Sequence, residues 1–227
     1  MKIRNLLSIA ALLSSNAFAS DTLETIKDTF SVSFGSETTA TLNASYDLSE
    51  DWRVFGEVDS EGYWEAGVGY NFIIGNIYNE VTFYAADGLD KAKPWVGYFA
   101  AGYLAKDLVM YGSVDVGYGK FARSASGDLI DIDVTNNHFN MDATVGLMYD
   151  ITDWFALGYE FSHYNRYDIN ELSINDRYKS DKGLNHVVHS HEVSATFNIK
   201  GVKPTVSYHF YEDSDLNFAE VGLYFDF

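Results

Sequence analysis

The chain has 227 residues, no cysteine and a formal net charge of −18, with 33 acidic residues against 15 basic ones. These figures exclude disulfide bonds and a thiol nucleophile, and the acidic excess argues against nucleic-acid binding, which needs a basic surface. Aromatic residues nevertheless make up 16% of the chain, so the sequence must place its aromatic and its charged side chains in separate environments.

The first 19 residues have the three parts of a secretory signal peptide. Lys2 and Arg4 form a positive start, a short apolar run follows, and Ala17 and Ala19 are the small residues that a signal peptidase reads. We expect cleavage after Ala19, which leaves residues 20–227 as one domain with 13 of the 15 basic residues and all 33 acidic ones. A membrane anchor is the alternative, but the apolar run is shorter than the roughly 20 residues of a spanning helix.

The rest of the sequence alternates between polar and apolar residues, as in Asn-Met-Asp-Ala-Thr-Val-Gly-Leu at 140–147. A period of two predicts strands with one wet face and one apolar face. No segment has a sustained helical period or approaches 18 apolar residues, so we predict almost no helix and no transmembrane helix. Ten strands is the alternative to twelve, because the first two candidates are weakly patterned. The twelve predicted strands are 25–35, 38–48, 52–60, 63–72, 77–86, 94–105, 108–122, 137–150, 154–167, 186–200, 204–213 and 215–227.

The predicted connections alternate in length. Those after the even-numbered strands are short, whereas two after odd-numbered strands are long, at 124–136 and 168–185. Transmembrane barrels sort their connections in this way, with short periplasmic turns and longer extracellular loops. The sequence therefore predicts an all-β protein, an antiparallel transmembrane β-barrel.

The same alternation divides the side chains between lipid and lumen. A charge facing lipid costs about 2–4 kcal/mol near the bilayer midplane, so the face that carries the charges is assigned to the lumen. The predicted pore-lining residues are Arg53, Glu57, Asp59, Glu65, Glu80, Asp115, Asp142, Glu160, Glu192 and Glu220.

The last predicted strand carries a resemblance. Val221, Leu223, Phe225 and Phe227 alternate up to a terminal phenylalanine, which resembles the C-terminal assembly signal of outer-membrane proteins of Gram-negative-type bacteria. The resemblance implies a location in the bacterial outer membrane. It also implies the lipid bilayer, lipopolysaccharide and the barrel-assembly machinery as partners.

In size the chain resembles the small porins for acidic oligosaccharides, whose lumens carry many arginines. The predicted lumen departs from that pattern, because Arg53, Arg166 and Lys200 are outnumbered by carboxylates. This departure puts an acidic-sugar substrate in doubt. Nucleoside channels match by strand number, but no motif supports them.

Two segments contain residues that could form a catalytic or metal-binding site. The run His186–Glu192 resembles the serine–histidine site of outer-membrane phospholipases, but the motif His-x-Ser-Asn-Gly is absent, and the alternation puts His189 and Ser190 on opposite faces. Interfacial histidines are favoured, with a metal-binding pair or catalysis as alternatives. The acidic run Gly127–Asp133 is interpreted as a solvated loop, with a divalent-ion site as the alternative. No cofactor or resident metal is expected.

These observations favour a passive, non-enzymatic channel for small hydrophilic solutes, with an acidic, weakly cation-preferring lumen. One alternative is a non-conducting structural or adhesive barrel that acts through its outer loops, above all 168–185. In that case, tyrosines would fill the lumen. A second alternative is a lipid-modifying enzyme. The tyrosines assigned to the lumen are Tyr63, Tyr78, Tyr84, Tyr111, Tyr164 and Tyr224.

Overall fold

The computed structural model describes residues 29–36, 39–87, 93–126, 131–175, 178–199 and 201–226, which form one closed antiparallel barrel of twelve strands. The predicted signal peptide and Phe227 lie outside these residues. The strands are β1 Thr29–Gly35, β2 Ala40–Asp47, β3 Trp52–Asp59, β4 Trp64–Ile74, β5 Ile77–Asp87, β6 Lys93–Ala105, β7 Leu108–Ser126, β8 Asp131–Thr152, β9 Phe155–Ile174, β10 Tyr178–Phe197, β11 Val202–Tyr211 and β12 Phe218–Asp226.

Each strand pairs with its neighbours in the chain, and the barrel closes where β1 pairs with β12, from Thr29 opposite Asp226 to Gly35 opposite Glu220. Closure gives the backbone amides of the first and last strands hydrogen-bond partners. A barrel needs this in a bilayer, where no water can satisfy an open edge.

The structure confirms twelve strands rather than ten, and each observed strand overlaps the predicted one in the same order. The two weakly patterned candidates are genuine strands, and Phe34 and Leu42 on them point outward. The C-terminal strand likewise turns Val221 and Leu223 outward.

The prediction that residues 124–136 and 168–185 form long loops was wrong. β7 and β8 stay paired from Leu108 opposite Tyr149 to Ser126 opposite Asp131, and β10 pairs with β9 up to Tyr178 opposite Ile174. These strand ends lie where both faces can be wet, so polar residues replace the apolar ones and the alternation that identifies a strand is lost.

The longest strands project beyond the rest of the barrel. Tyr118, Phe139 and Tyr167 are exposed and lie side by side on β7, β8 and β9. Beyond this aromatic row these strands continue through 119–126, 131–138 and 168–174, which is on the order of 20 Å for tilted strands. We call these three segments, together with residues 178–184 of β10, which pair with 168–174 of β9, the projecting sheet.

The opposite end carries both ends of the described barrel and five tight connections. Positive φ angles at Gly75 and Asp107, both 64°, reverse the chain between β4 and β5 and between β6 and β7. At the other end of the barrel, a 3-10 turn, Ser214–Leu216, connects β11 to β12. No helix in the described ranges is long and apolar enough to cross a bilayer.

Candidate functional site in the barrel lumen

All ten predicted pore-lining residues face the inside of the barrel. Seven of these side chains are buried, whereas those of Asp59, Glu192 and Glu220 are half-buried. The neighbouring positions on the strands are outward and exposed, for example Val58, Trp64 and Val114. The alternation therefore separates charge from the outer surface in the way that lipid contact requires.

Arg53 and Glu80 form a bidentate ion pair along the lumenal wall. Arg53 Nε and Nη2 donate to the two carboxylate oxygens of Glu80 at 2.7 and 2.5 Å, and the Tyr78 hydroxyl donates to Glu80 at 3.1 Å. The pair joins β3 to β5 over β4, where Gly69 leaves room for the Glu80 carboxylate. Because Glu80 is 1% exposed, its charge depends on this bidentate partner.

Aromatic rings cover the wall between β3 and β6, and we call Phe55, Tyr63, Tyr84 and Trp95 the aromatic wall. Tyr84 stacks on Trp95 with ring centroids 5.8 Å apart and planes 7° apart, and Phe55 meets Tyr84 edge-on at 5.9 Å. The Trp95 ring lies over Gly117 of β7. The aromatic wall thus places ring faces beside the charged lumenal side chains of the same strands.

Carboxylates face one another on neighbouring strands, and three such facing pairs occur among the described residues of the lumenal face within the part of the barrel below the projecting sheet. Like charges directly opposite on a sheet destabilise it, so their repetition calls for a functional reason. The pairs are Glu57 with Glu65, Asp115 with Asp142, and Glu160 with Glu192.

Neutral donors cover part of this acidic surface. Tyr84 donates to Asp115 at 3.2 Å, and Tyr111 donates to Glu160 at 3.1 Å. Glu160 also accepts from Ser162 at 3.2 Å. The donors to Asp115 and Glu160 in these contacts are neutral, so these hydrogen bonds do not offset the negative charge of the carboxylates.

Histidine and arginine contribute at two other places. His209 lies 3.5 Å from Glu192 through Nδ1 and stacks on Phe218 with centroids 4.2 Å apart. Arg166 holds Asp168 at 2.9 Å, at the base of the projecting sheet. Sequence reasoning assigned Ser113 to the lumen but missed His209. The alternation of His209 with its outward neighbours Tyr208 and Phe210 was the available signal.

Lumenal side chains are packed closely together on all twelve strands. Every one of the twelve strands contributes an inward side chain that is less than a tenth exposed, from Ser31 on β1 to Tyr224 on β12. The six tyrosines assigned to the lumen all face inward, and only Tyr84 among them is more than a tenth exposed. The described contacts run along the wall between strands that are one or two apart.

The histidine run does not form a serine–histidine site. Ser190 is buried on the lumenal face, whereas His189 points outward, stacks on Phe161 and contacts Glu212 through Nδ1 at 2.8 Å. His191 shares a 2.8 Å hydrogen bond with the Tyr159 hydroxyl on the same outer face.

The acidic run 127–133 is only partly described. Asp131 and Asp133 belong to β8 rather than to a loop, and residues 127–130 lie outside the described residues. Within the described ranges, no group of three or more histidines or carboxylates is arranged to hold a metal ion.

Solved structures of porins resemble this chain. A NanC porin aligns with a TM-score of 0.60 at 12% identity, over 88% of this chain and 98% of the porin. A KdgM porin aligns with a TM-score of 0.58 at 14% identity, over 89% and 99%. A KdgM porin in complex with disordered oligogalacturonate gives 0.50 at 13% identity, over 89% and 99%. No protein-family model and no curated protein sequence matches. The chain therefore shares the barrel fold of these porins.

Proposed function

We propose that this chain, which has the barrel fold of porins, is a bacterial outer-membrane channel for passive diffusion of small hydrophilic solutes, with a preference for cations. The observation that carries the proposal is the set of three facing carboxylate pairs in the lumen. In a barrel with a purely structural role these pairs would destabilise the fold and serve no function. In a channel they raise the local concentration of cations.

The outward surface supports a membrane location. The exposed aromatic row crosses β7 to β9 at the base of the projecting sheet, and the turn end carries exposed Tyr46, Trp52 and Trp154. Two aromatic rows with apolar residues between them are typical of a transmembrane barrel. The lipid bilayer, lipopolysaccharide and the barrel-assembly machinery remain the partners that we propose from the sequence.

The charge of the lumen argues against an acidic solute. One of the solved porins was crystallised with oligogalacturonate, which is a polyanion. In this chain the inward cations of the described strands include Arg53, Arg166 and Lys203, and Arg53 and Arg166 are held by carboxylates. A polyanion would meet mainly carboxylates, so we propose small cations and neutral solutes instead.

Planar-bilayer recordings test the channel. Purified protein in a KCl gradient is expected to give discrete conductance steps with a reversal potential of the sign for K⁺ over Cl⁻. The double variant Asp115→Asn with Asp142→Asn is expected to reduce that potential, whereas Glu50→Gln on the exposed β2–β3 turn is expected to leave it unchanged. Folded protein without conductance steps would refute the proposal.

A non-conducting barrel is the second candidate, and the close packing of lumenal side chains favours it. In that case the projecting sheet would carry the function. Removing residues 168–185 would abolish binding to cells or phage, and bilayers would show no steps for either form of the protein.

We also propose that the protein is not an enzyme. The outward His189 and the buried Ser190 cannot act on one substrate atom from opposite faces of a strand. Replacement of either residue by alanine is expected to leave any lipid hydrolysis by the purified protein at background. Hydrolysis that disappears in the Ser190→Ala variant would contradict this expectation.

A further inference from the structure

The pair Asp115 and Asp142 has unused hydrogen-bonding capacity. The two residues lie directly opposite on β7 and β8, a position that puts Cβ atoms about 4.5–5.5 Å apart. Asp142 is 4% exposed, and within the described ranges its Oδ1 has no hydrogen-bond partner. The hydroxyl of Ser113, two residues before Asp115 on the same lumenal face, is likewise buried and unpartnered among the described residues.

Buried polar atoms of this kind destabilise the folded protein, because they have lost their hydrogen bonds to water without gaining another partner. The charges of Asp115 and Glu160 both act on Asp142. The site around Asp142 is therefore negative, and it also has too few hydrogen-bond donors. A ligand with a positive charge and several N–H donors satisfies both conditions, and an alkylammonium group is such a ligand.

Aromatic rings border the same pair. The Tyr84 hydroxyl donates to Asp115 Oδ1 at 3.2 Å, and the Tyr84 ring stacks on Trp95. Trp95 in turn covers Gly117, two residues beyond Asp115 on β7. Aromatic faces attract ammonium groups and also pack against the methylene groups next to them.

The shape of the lumen limits the ligand further. Since inward side chains of all twelve strands are closely packed, a passing solute must be thin. The two other facing pairs, Glu57 with Glu65 and Glu160 with Glu192, repeat the same charge arrangement on other parts of the wall. A thin solute that carries several positive charges separated by methylene groups fits this combination.

We propose that the Asp115–Asp142 pair binds an ammonium group of linear aliphatic polyamines, and that these are the preferred cationic solutes of the lumen. The transport part rests on the proposed channel function, whereas the binding part does not. The ammonium group donates to the two carboxylates and to the Ser113 hydroxyl, while its methylene chain lies against Tyr84 and Trp95. A divalent metal ion such as Mg²⁺ gives up its water reluctantly and gains nothing from the aromatic rings.

Calorimetric titration of the folded protein in detergent micelles tests binding directly, with spermidine, MgCl₂ and KCl as probes at matched ionic strength. Spermidine is expected to bind more tightly than Mg²⁺. Asp142→Asn is expected to weaken spermidine binding about tenfold, the loss of roughly one charge-assisted hydrogen bond. Glu50→Gln removes the same charge from an exposed turn and is expected to change nothing.

Three results would overturn the proposal: no spermidine binding, equal loss in Asp142→Asn and Glu50→Gln, or displacement of spermidine by Mg²⁺ at the same concentration. If Asp142→Asn does not fold, Ser113→Ala provides the test instead, and unchanged affinity in that variant counts against the site. Bilayer recordings separate the two proposals. Protein that binds spermidine but does not conduct refutes the channel and the transport part while the binding site stands. Protein that conducts but does not bind spermidine refutes the polyamine site alone.

Discussion

Lumenal side chains lie along the wall where a glycine on the neighbouring strand leaves space for them. A Cβ atom added to Gly146 would collide with the Tyr111 ring, and one added to Gly69 would collide with the Glu80 carboxylate. Two lumenal contacts cross over such a glycine: the hydrogen bond from Tyr111 to Glu160 and the ion pair between Arg53 and Glu80. Individual glycines therefore decide which polar contacts form inside the barrel.

Gly146→Ala should displace Tyr111 and break its hydrogen bond to Glu160. Overpacking of this kind costs about 1–3 kcal/mol, so the urea midpoint of unfolding in lipid vesicles should fall. Gly102→Ala is the matched control, because its new Cβ would meet Ile77 Cγ1 at 3.4 Å, an ordinary contact. Equal midpoints for the two variants would contradict the role given to Gly146.

Arg53→Met should leave the Glu80 carboxylate buried without its partner. Loss of one member of a buried ion pair costs about 3–5 kcal/mol, measured by the same unfolding experiment. The double variant Arg53→Met with Glu80→Gln should recover much of this loss, because no unpaired charge remains. Arg166→Met is the comparison and should cost less, since the Arg166 side chain is 20% exposed whereas that of Arg53 is 6% exposed. A double variant as unstable as Arg53→Met would show that the loss has another cause.

The sequence predicted which way Arg53 and Glu80 point, but not that they pair. Their direction follows from alternation within each strand, which can be read locally. Their pairing depends on the stagger of β3, β4 and β5 around the barrel and on the space above Gly69, and neither can be read from a single strand. The same applies to Tyr84 with Asp115.

At the scale of elements, the bilayer explains both the success and the failure of strand prediction. Within lipid an outward charge is costly, so the strands carry the alternation that identified them, although it is weak in β1 and β2. The projecting sheet is free of this requirement, and residues 168–174 and 178–185 therefore carry polar side chains on both faces. Its outer edges on β7 and β10 carry Lys120 and Lys182, and charged edge residues discourage pairing with a further strand.

Shortening the projecting sheet should leave the barrel intact. Replacing residues 122–135 by Asn-Gly joins Phe121 to Asn136, which are opposite each other in the ladder, through a two-residue hairpin turn. The protein should still show the heat-dependent mobility shift of a folded barrel on gels and the same conductance, because the membrane part is unchanged. A matched replacement of 112–145 by Asn-Gly, which joins the ladder partners Tyr111 and Gly146 within the membrane part, should abolish folding. Loss of the barrel on removing 122–135 would show that the sheet is required for assembly.

At the scale of the whole molecule, the acidic excess of the chain is partly concentrated inside the barrel. Cation selectivity should therefore depend on salt, since charges are screened over about 10 Å at 0.1 M but about 3 Å at 1 M ionic strength. Reversal potentials at a fixed KCl ratio should indicate strong K⁺ preference at low concentration and weaker preference at high concentration. Selectivity that does not change with concentration would point to size exclusion instead.

The unequal strand lengths also determine how large objects meet the protein. β7 to β10 have 19 to 22 residues, whereas β1 to β4 have 7 to 11. The rim opposite the termini is thus tall on one side and low on the other. In the proposed channel, a globular protein that approaches this rim would touch the tall side first and be held away from the lumen, while a small solute would enter over the low side.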